Sequence, residues 1–331
     1  MTATIDDVAA RSGMSTATVS RVLSGSAPAR PATRERVLAA ARELNYRPSG
    51  IARALKRRET RILGLVITDV TNPFYPQIVR AVEAAAHARG YGILLADGGD
   101  DPARELEHLD LLVERRVDGI VVASSRMTRR HAARLRAVTV PVVLVNATTG
   151  GGLAAVTTAH RLGARMAAEH LVGLGHVRIG HISAPAEHAA SRLRRQGVRD
   201  AVDAVVVDGD GGVEGGALAV SSLLRSGVTG IVAYNDLTAI GALRGLRQAG
   251  ALVPQDVSVV GFDDIEMAAW TDPPLTTIRQ PTDALGQWAV DRLARVLADG
   301  HSAAVERVVL SPELVVRGST ATCPQLASQR S

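Results

Sequence analysis

The fold of the N-terminal segment is decided by residues 4–23, which read TIDDVAARSGMSTATVSRVL. Thr4 can accept a hydrogen bond at the start of a helix, and Asp7 stands three residues later, which is the spacing of a capping box. Gly13 ends that helix, and Ser15 caps a second helix whose apolar residues recur at i, i+3 and i+4. Two short helices joined by a glycine-containing turn are typical of a helix-turn-helix.

A third helix is predicted over residues 33–44, after a stretch with Gly, Ser and Pro at residues 25–31. Val37, Ala41 and Leu44 share one face of this helix at helical spacing. Three short helices can close one small core, so the sequence predicts an all-α head at the N-terminus.

The positive charge of the chain is concentrated in this head. Residues 1–60 hold eleven Arg or Lys and five Asp or Glu, a net charge of +6, whereas residues 61–331 hold 27 and 28, a net charge of −1. Clustered cations on a near-neutral body are typical of a segment that binds a polyanion, because neutralising phosphates requires positive charges in one place. Charge alone fits a solvated basic tail equally well, and the helical pattern favours DNA binding.

The first turn of the second helix is the part of a helix-turn-helix that enters the DNA major groove. Its short side chains allow a close approach, with hydroxyls for phosphates and methyls for thymine, while Arg21 can reach a guanine or a phosphate. Polar residues here could alternatively serve only to solvate the helix. The predicted DNA-contacting residues of the head are Thr4, Ser15, Thr16, Ala17, Ser20 and Arg21.

The remaining 270 residues alternate short apolar runs with helical stretches, and 331 residues exceed what one hydrophobic core usually serves. The clearest predicted strands lie at residues 62–67, 91–95, 119–122, 142–145, 179–182, 230–233 and 257–260. Continuous apolar strands separated by helices indicate parallel sheets that are covered on both faces. The strands are too many for one sheet, so we predict two doubly wound subdomains with a ligand cleft between them.

Polar residues collect where these predicted strands end. They are the segment from Asp69 to Tyr75, then Asn146, Asn235 with Asp236, and Asp263 with Asp264, while Arg279 and Gln280 lie where the chain would cross between lobes. Carboxylates, amides and aromatics around a cleft suit a polyhydroxylated ligand such as a sugar or nucleoside, because each buried hydroxyl needs a donor and an acceptor. Any single one of these residues could alternatively only cap a turn or a helix.

The head carries four segments in a specific order: TIDDVA at 4–9, GMSTATVSRVL at 13–23, TRERV at 33–37 and LNYRP at 44–48. In this order they resemble the head of the LacI/GalR family of transcription regulators. The following SGIARALKR at residues 49–57 resembles the family's hinge helix, which folds when two subunits meet on DNA.

The resemblance gives the hinge residues their expected roles. Leu55 would wedge into the minor groove at the centre of the site, and Ala52, Arg53 and Lys56 would contact DNA beside it. Nine residues that start just after a proline cannot hold a helix alone in water, so coupling their folding to DNA binding is physically reasonable. Leu55 could alternatively be an ordinary linker residue.

The body resembles the same family's effector domain, which is similar to periplasmic sugar-binding proteins. The matching segments are NPFY at 72–75, VDGI at 117–120, LVGLGH at 171–176, SRLRRQG at 191–197, DVSVVGFDD at 256–264 and PLTTI at 274–278. The effector-binding residues expected from this match are Phe74, Tyr75, Asn146, Arg194, Asn235, Asp263 and Gln280. Arg194 is the foremost of them, because its planar fork of donors can hold two vicinal oxygens.

Four features depart from the family pattern or add nothing to it. Ala159 stands where an Asp is usual, and Gly211 stands where many members place an aromatic residue that stacks on a sugar. The stretch after Gly197 is shorter than usual, so we expect a pocket of different shape. His188, near Arg194, is expected to be a hydrogen-bonded surface residue.

We therefore predict an α/β protein with an N-terminal all-α helix-turn-helix head and a periplasmic-binding-protein-like core of two doubly wound parallel-sheet subdomains. The predicted division is a head at 1–47, a hinge helix at 48–58, an N-subdomain at 61–158 and 280–311, a C-subdomain at 159–279 and 312–320, and a tail at 321–331. The predicted function is a repressor that binds a pseudopalindromic operator as a homodimer and responds to a small polar effector, a sugar or nucleoside, with release of DNA as the expected response. The alternative is a cytoplasmic solute-binding protein without a regulatory role.

Other classes of protein fit the sequence less well. A transporter's solute-binding protein is disfavoured by the basic head and by the absence of a signal sequence, and an enzyme by the absence of phosphate-binding glycine motifs, a nucleophile elbow and metal-spaced histidines. We expect no catalytic site, no cofactor and no metal. The lone Cys323 excludes an intramolecular disulfide, and the absence of long apolar tracts or a leucine-heptad tail favours a cytoplasmic dimer with no membrane contact.

Overall fold

The computed structural model describes residues 3–24, 28–46, 59–123, 129–147, 152–299 and 305–323. The chain divides into two units, Met1–Arg61 and Ile62–Ser331. The predicted hinge helix at 48–58, with Ala52, Arg53, Leu55 and Lys56, lies outside the described residues, as does the tail from residue 324 onward.

In its described part, the first unit holds three helices: α1 (Ile5–Ser12), α2 (Thr16–Ser24) and α3 (Pro31–Glu43). The Thr4 hydroxyl accepts a hydrogen bond from the Asp7 amide at 3.3 Å, and the Asp7 carboxylate accepts one from the Thr4 amide at 2.8 Å. Gly13 adopts φ +66° and ends α1. The capping box and the glycine turn are thus confirmed, and α3 begins two residues earlier than predicted, with Pro31 in its first turn.

The core of the head lies where the three helices meet. Val8, Val19 and Val37, one from each helix, are all 0% exposed, and alanines and Val22 surround them. Each helix contributes a narrow apolar face, which is why a segment this short can fold around one core.

The second unit contains all the described strands of the chain. They are β1 (Ile62–Ile67), β2 (Gly92–Asp97), β3 (Gly119–Ala123), β4 (Val142–Val145), β5 (Ala154–Thr158), β6 (Ile179–Ser183), β7 (Val205–Asp208), β8 (Gly230–Ala233), β9 (Ser258–Val260), β10 (Thr277–Arg279), β11 (Arg307–Leu310) and β12 (Glu313–Val315). Its α-helices are α4 (Phe74–His87), α5 (Pro102–Glu114), α6 (Arg129–Ala137), α7 (His160–Gly173), α8 (Ala189–Ala201), α9 (Val213–Arg225), α10 (Asp236–Gln248) and α11 (Thr282–Asp299). A short 3-10 helix spans Glu266–Ala269.

The strands form two parallel sheets, which define two lobes. The first lobe is built on a six-stranded sheet in the order β11-β5-β4-β3-β1-β2, and the second lobe on a four-stranded sheet in the order β7-β6-β8-β9. All neighbours within each sheet run parallel. A separate antiparallel pair joins β10 to β12.

Helices cover both faces of each sheet, as predicted for doubly wound lobes. On one face of the first sheet, residues of β1 pack against α4 and α11, and on the other face Val66 and Ile120 pack against Leu109 and Leu112 of α5. The second sheet is enclosed in the same way, with α9 and α10 on one side and α7 and α8 on the other.

Strands β5, β7, β10, β11 and β12 are not among the clearest predicted strands. They lie at sheet edges or near passages between the lobes, and each includes at least one half-buried or exposed residue. The chain passes from one lobe to the other after β5, after β10 and after β11. The exact limits of the two subdomains stay a prediction. Among the helices of the described residues, none combines the length and apolar character that a membrane span requires.

Candidate functional site

A cavity of about 350 Å³ lies between the two lobes, at the carboxyl ends of strands from both sheets. This is where parallel sheets place their ligands, because the loops that follow the strands diverge there. All seven residues predicted to bind an effector line this cavity: Phe74, Tyr75, Asn146, Arg194, Asn235, Asp263 and Gln280.

Arg194 is held on α8 with only 4% of its surface exposed. Its Nη1 donates to the Tyr234 carbonyl oxygen at 2.6 Å, and its Nη2 lies 3.2 Å from Asp263 Oδ1. The guanidinium carbon lies 3.6 Å from the ring centroid of Phe262 and 4.7 Å from that of Tyr234. The fork expected to hold two ligand oxygens is therefore partly engaged within the protein, while Nε has no hydrogen-bond partner among the described residues.

The Gln280 amide links the first lobe to the second. Its Oε1 accepts from Thr158 Oγ1 at 2.7 Å and from Asn146 Nδ2 at 3.0 Å, and its Nε2 donates to Asp263 Oδ1 at 2.7 Å. Because Asp263 also meets Arg194, one continuous chain of buried hydrogen bonds runs from β5 to α8. Gln280 follows β10, where the chain passes from one lobe to the other, so this passage forms part of the cavity wall.

Two of these residues have positive φ angles, which residues other than glycine rarely adopt. Asn146 has φ +54° and Asp263 has φ +117°. Both are held by backbone hydrogen bonds, from the Asn146 amide to the Val156 oxygen at 2.8 Å and from the Asp263 amide to the Ile278 oxygen at 2.7 Å. Strained backbone at a ligand cleft is common, because the surrounding structure fixes a polar group at a required place.

Burial raises the pKa of Asp263, while the Arg194 charge and the hydrogen bonds from Gln280 and Arg194 lower it. Burial also raises the pKa of the neighbouring Asp236 well above its usual value, and the charge of Asp263 adds to that effect. Asp236 does not line the cavity. It accepts hydrogen bonds from the Ile265 amide and the Thr277 hydroxyl, and so holds the loop that carries Asp263.

Asn235 both caps a helix and lines the cavity. Its Oδ1 accepts from the Thr238 amide at the start of α10 at 2.8 Å, and its Nδ2 donates to the Gly211 carbonyl oxygen at 2.9 Å. A side chain at Gly211 would meet the ring of Tyr234, which itself lines the cavity. The wall lacks a side chain at position 211, and the Tyr234 ring lies beside that position.

The first lobe contributes the aromatic wall of the cavity. Phe74 and Tyr75 open α4 with their rings edge to face, 5.5 Å between centroids. The Asn72 side chain accepts a hydrogen bond from the Phe74 amide at 3.1 Å and so fixes this end of the helix. Aromatic edges and faces of this kind suit the apolar faces of a sugar ring.

Several residues that line the cavity were not predicted to do so, among them His160 and Tyr234. His188 is 8% exposed and lines the cavity, so the expectation of a surface residue was wrong. The reason is that His188 is the N-cap of α8, the helix that brings Arg194 to the cavity. Its position six residues before Arg194, at the start of the same helix, could have indicated that it lies near the cavity.

The lining carries more negative than positive charge. Four carboxylates, Asp69, Asp100, Asp210 and Asp263, line the cavity, and Arg194 is the only Arg or Lys among the described lining residues. Uncharged groups make up most of the remaining lining. This balance favours a neutral ligand with many hydroxyls over an anion.

In the head, the predicted DNA-contacting residues of α2 lie together at its N-terminal end and on its exposed surface. Ser15, Thr16, Ala17 and Arg21 are exposed, and Ser20 is half-buried. Ser15 Oγ accepts a hydrogen bond from the Thr18 amide at 3.2 Å, which confirms its capping role. Thr4 is also exposed, with its hydroxyl in the capping box of α1. Contact of these residues with DNA stays a prediction.

Two family models match the chain. The model for bacterial regulatory proteins of the lacI family matches residues 4–49, and the model for a periplasmic binding protein-like domain matches residues 168–320. The ribose operon repressor of Escherichia coli (strain K12) is 37% identical over 330 residues, which cover 96% of this chain and 99% of the relative.

Solved structures give the same result. A lac repressor dimer bound to operator and the anti-inducer ONPF has a TM-score of 0.88 at 30% identity, over 97% of this chain and 100% of the other. A LacI family transcriptional regulator from Enterococcus faecalis with bound ribose has a TM-score of 0.72 at 32% identity, over 79% of this chain and 99% of the other. None of these three proteins is named as an enzyme. The chain therefore belongs to the LacI family of bacterial regulatory proteins.

Proposed function

We propose that this protein is a transcriptional repressor that binds a pseudopalindromic operator as a homodimer and is controlled by a small neutral sugar in the cleft. The observation that carries the proposal is the cavity between two lobes, lined by amides, carboxylates and a guanidinium, on a chain whose other unit is a helix-turn-helix. A two-fold symmetric dimer presents two heads, which is why the operator should be pseudopalindromic. A solute-binding protein without a regulatory role would have no use for the head.

The effector class follows from charge and size. About 350 Å³ is near the lower end for ligand cavities, which suits a ligand of monosaccharide size. The excess of carboxylates over cations disfavours a phosphate group. Relatives point the same way, since one is a ribose operon repressor and another was solved with ribose. We therefore propose a pentose-like, unphosphorylated sugar as the effector.

The proposed contacts follow the family resemblance and the cavity lining. The sugar would be held by Phe74, Tyr75, Asn146, Arg194, Asn235, Asp263 and Gln280. DNA would be contacted by Thr4, Ser15, Thr16, Ala17, Ser20 and Arg21 in the head and by Ala52, Arg53, Leu55 and Lys56 in the hinge. Because repression requires access to the chromosome, the protein would act in the cytoplasm, and sugar binding would release it from DNA.

A thermal-shift screen with matched ligands tests the effector class. D-ribose and D-ribose 5-phosphate differ by one phosphate, so their comparison isolates the effect of charge. We expect neutral pentoses to raise the unfolding midpoint by mass action and their phosphates to leave it unchanged. A larger shift with the phosphorylated sugar would overturn the proposed effector class.

DNA binding is tested by fluorescence anisotropy with duplexes from the protein's own promoter region. We expect tight binding to one pseudopalindromic site, with log K falling by roughly 0.9 per neutralised phosphate for each tenfold rise in salt. An Arg21→Ala variant should bind more weakly than the parent. Binding that does not respond to salt, or no binding to any of these duplexes, would contradict the repressor function.

A further inference from the structure

His160 begins α7, directly after the chain leaves β5, and its side chain is only 3% exposed. It lines the cavity next to Arg194, whose Nη2 lies 3.4 Å from His160 Nδ1. The imidazole also packs against Phe262, with 5.9 Å between ring centroids. The histidine is therefore fixed on two sides by side chains of the second lobe.

The contact with Arg194 assigns the proton of the imidazole. A guanidinium can only donate hydrogen bonds, so Nδ1 must accept from it. A neutral imidazole with an accepting Nδ1 carries its proton on Nε2. Burial lowers the pKa of His160 well below 6.5, and the Arg194 charge lowers it further, so the ring is neutral at physiological pH.

This proton has no acceptor among the residues that the structure describes. His160 Nε2 is buried and has no hydrogen-bond partner among the described residues, and the same holds for Arg194 Nε. Buried donors without partners are rare, because desolvation is not compensated. Two such donors on touching side chains in one cavity wall indicate a ligand that brings acceptor atoms.

We propose that His160 is an effector-contacting residue, whose Nε2–H donates a hydrogen bond to a hydroxyl oxygen of the bound sugar. The inference rests on the proposed function, and it adds a residue that the family resemblance did not supply. The Arg194 contact then has a second role, since it fixes the tautomer that makes Nε2 a donor. The site would distinguish a sugar with this hydroxyl from the corresponding deoxy sugar.

A second cavity, of about 700 Å³, also borders His160. Arg161 and Asp200 line it and are paired with each other, at 2.5 and 2.7 Å, on the protein surface. Arg165, which also lines it, lies 3.3 Å from Glu169. The first cavity is favoured because it alone is lined by Arg194, which carries the other unpartnered donor.

Two substitutions separate the two nitrogens of the ring. In His160→Gln the amide reaches the place of Nε2 and can donate there, whereas in His160→Asn the amide lies near the place of Nδ1 and can only serve Arg194. We expect calorimetry with D-ribose, or with the pentose that gives the largest thermal shift, to show about tenfold or greater loss of affinity in His160→Asn. His160→Gln should stay within about threefold of the parent. Far-UV circular dichroism and the unfolding midpoint without sugar check that both variants fold.

The other outcomes overturn the inference. Loss in His160→Gln with retention in His160→Asn would mean that His160 only positions Arg194. Parent-like affinity in both would mean that Nε2 does not meet the sugar, as expected if it serves the second cavity. A deoxy analogue that lost affinity equally in the parent and in His160→Asn would contradict a contact to that hydroxyl.

Nitrogen-15 NMR of the imidazole provides a measurement that needs no ligand. We expect a protonated Nε2 and an unprotonated Nδ1 in the free protein, and a shift of the Nε2 resonance when sugar is added. A proton on Nδ1 would overturn the inference even if no sugar bound. If no sugar of the screen binds the parent, the effector class is wrong, and the tautomer alone decides whether His160 presents a donor to the cavity.

Discussion

At the scale of single residues, His181 shows how burial fixes a protonation state. It lies on β6 and is 1% exposed, and its Nδ1 donates to the Val232 carbonyl oxygen at 2.9 Å. Its Nε2 has no partner among the described residues. Burial lowers the pKa of His181 to about 4, and the charges of Arg195, Arg194 and Arg199 also oppose protonation.

A dependence of stability on pH follows from this shift. Between pH 6.5 and about 4 the unfolded chain binds a proton at His181 that the folded chain does not, so the free energy of unfolding falls as the pH falls through this window. At pH 4 the loss reaches about 3 kcal/mol from this residue. His181→Asn keeps a donor for Val232 but cannot titrate, so urea unfolding at several pH values should show a flatter dependence than in the parent. Parallel pH curves for the two proteins would show that His181 is not buried as described.

The buried pair of Arg194 and Asp263 gives a second prediction. Burial outweighs the Arg194 charge at Asp263 and raises its pKa, so the pair adds little net stability. Removing only the cation leaves a buried carboxylate without its partner. Asp263→Asn likewise leaves the buried Arg194 guanidinium without a counter-charge, so we expect each of Arg194→Ala and Asp263→Asn to lower the free energy of unfolding by about 3 kcal/mol or more. Chemical denaturation at pH 7 measures both, and a loss below about 1 kcal/mol in either variant would contradict the buried pair.

The sequence predicted those site residues that directly follow the carboxyl end of a parallel strand. Asn146 and Asp263 follow parallel strands, and such strands end at one edge of a sheet, so their convergence could be expected. The partners of Arg194 could not, because Tyr234 contributes a backbone carbonyl and Phe262 a ring face through packing. The position of His160 could not be predicted either. It depends on the direction in which the chain leaves β5, which decides which residue faces the cavity.

At the scale of elements, α9 and α10 pack so closely that their backbones touch. A Cβ on Gly241 of α10 would overlap the Val213 carbonyl oxygen, and one on Gly216 of α9 would overlap that of Thr238. By contrast, a Cβ on Gly173, the last residue of α7, would meet nothing within 4 Å. Gly216 and Gly241 are required because helices α9 and α10 approach each other closely, whereas no neighbouring element requires a glycine at position 173.

The two kinds of glycine should respond oppositely to the same change. Gly241→Ala should lower the free energy of unfolding by about 2 kcal/mol or more, because the helices must separate. Gly173→Ala, the matched control, should leave it unchanged or raise it by up to about 1 kcal/mol, since alanine restricts the unfolded chain. Thermal and urea unfolding measure both, and a stable Gly241→Ala variant would show that the helices are further apart.

Element types were predictable from hydrophobic periodicity, and element ends were not. Helix α4 begins at Phe74, where the Asn72 side chain accepts a hydrogen bond from the Phe74 amide within a local turn. Strand β11 was not recognised because its residues alternate between exposed and half-buried at the sheet edge. Its place in the first sheet depends on a passage between lobes that no local pattern encodes.

At the scale of the whole molecule, the chain joins a basic head to a near-neutral sensor. The difference in charge between residues 1–60 and 61–331 could be read directly from the sequence. A helical head followed by two α/β lobes was predictable because family motifs run along almost the entire chain, and the hinge between head and lobes stays a prediction. The linkage between the lobes, through Gln280 and its buried hydrogen bonds, required the structure.

This linkage connects the cavity to the passages between lobes, so a ligand that changes these contacts can change how the lobes are held. The most direct test is the operator affinity of the full-length protein, measured by fluorescence anisotropy at one salt concentration with and without a saturating amount of the best pentose from the thermal-shift screen. We predict that the sugar raises the operator Kd by about tenfold or more. An operator Kd that is the same with and without this bound sugar would contradict the account.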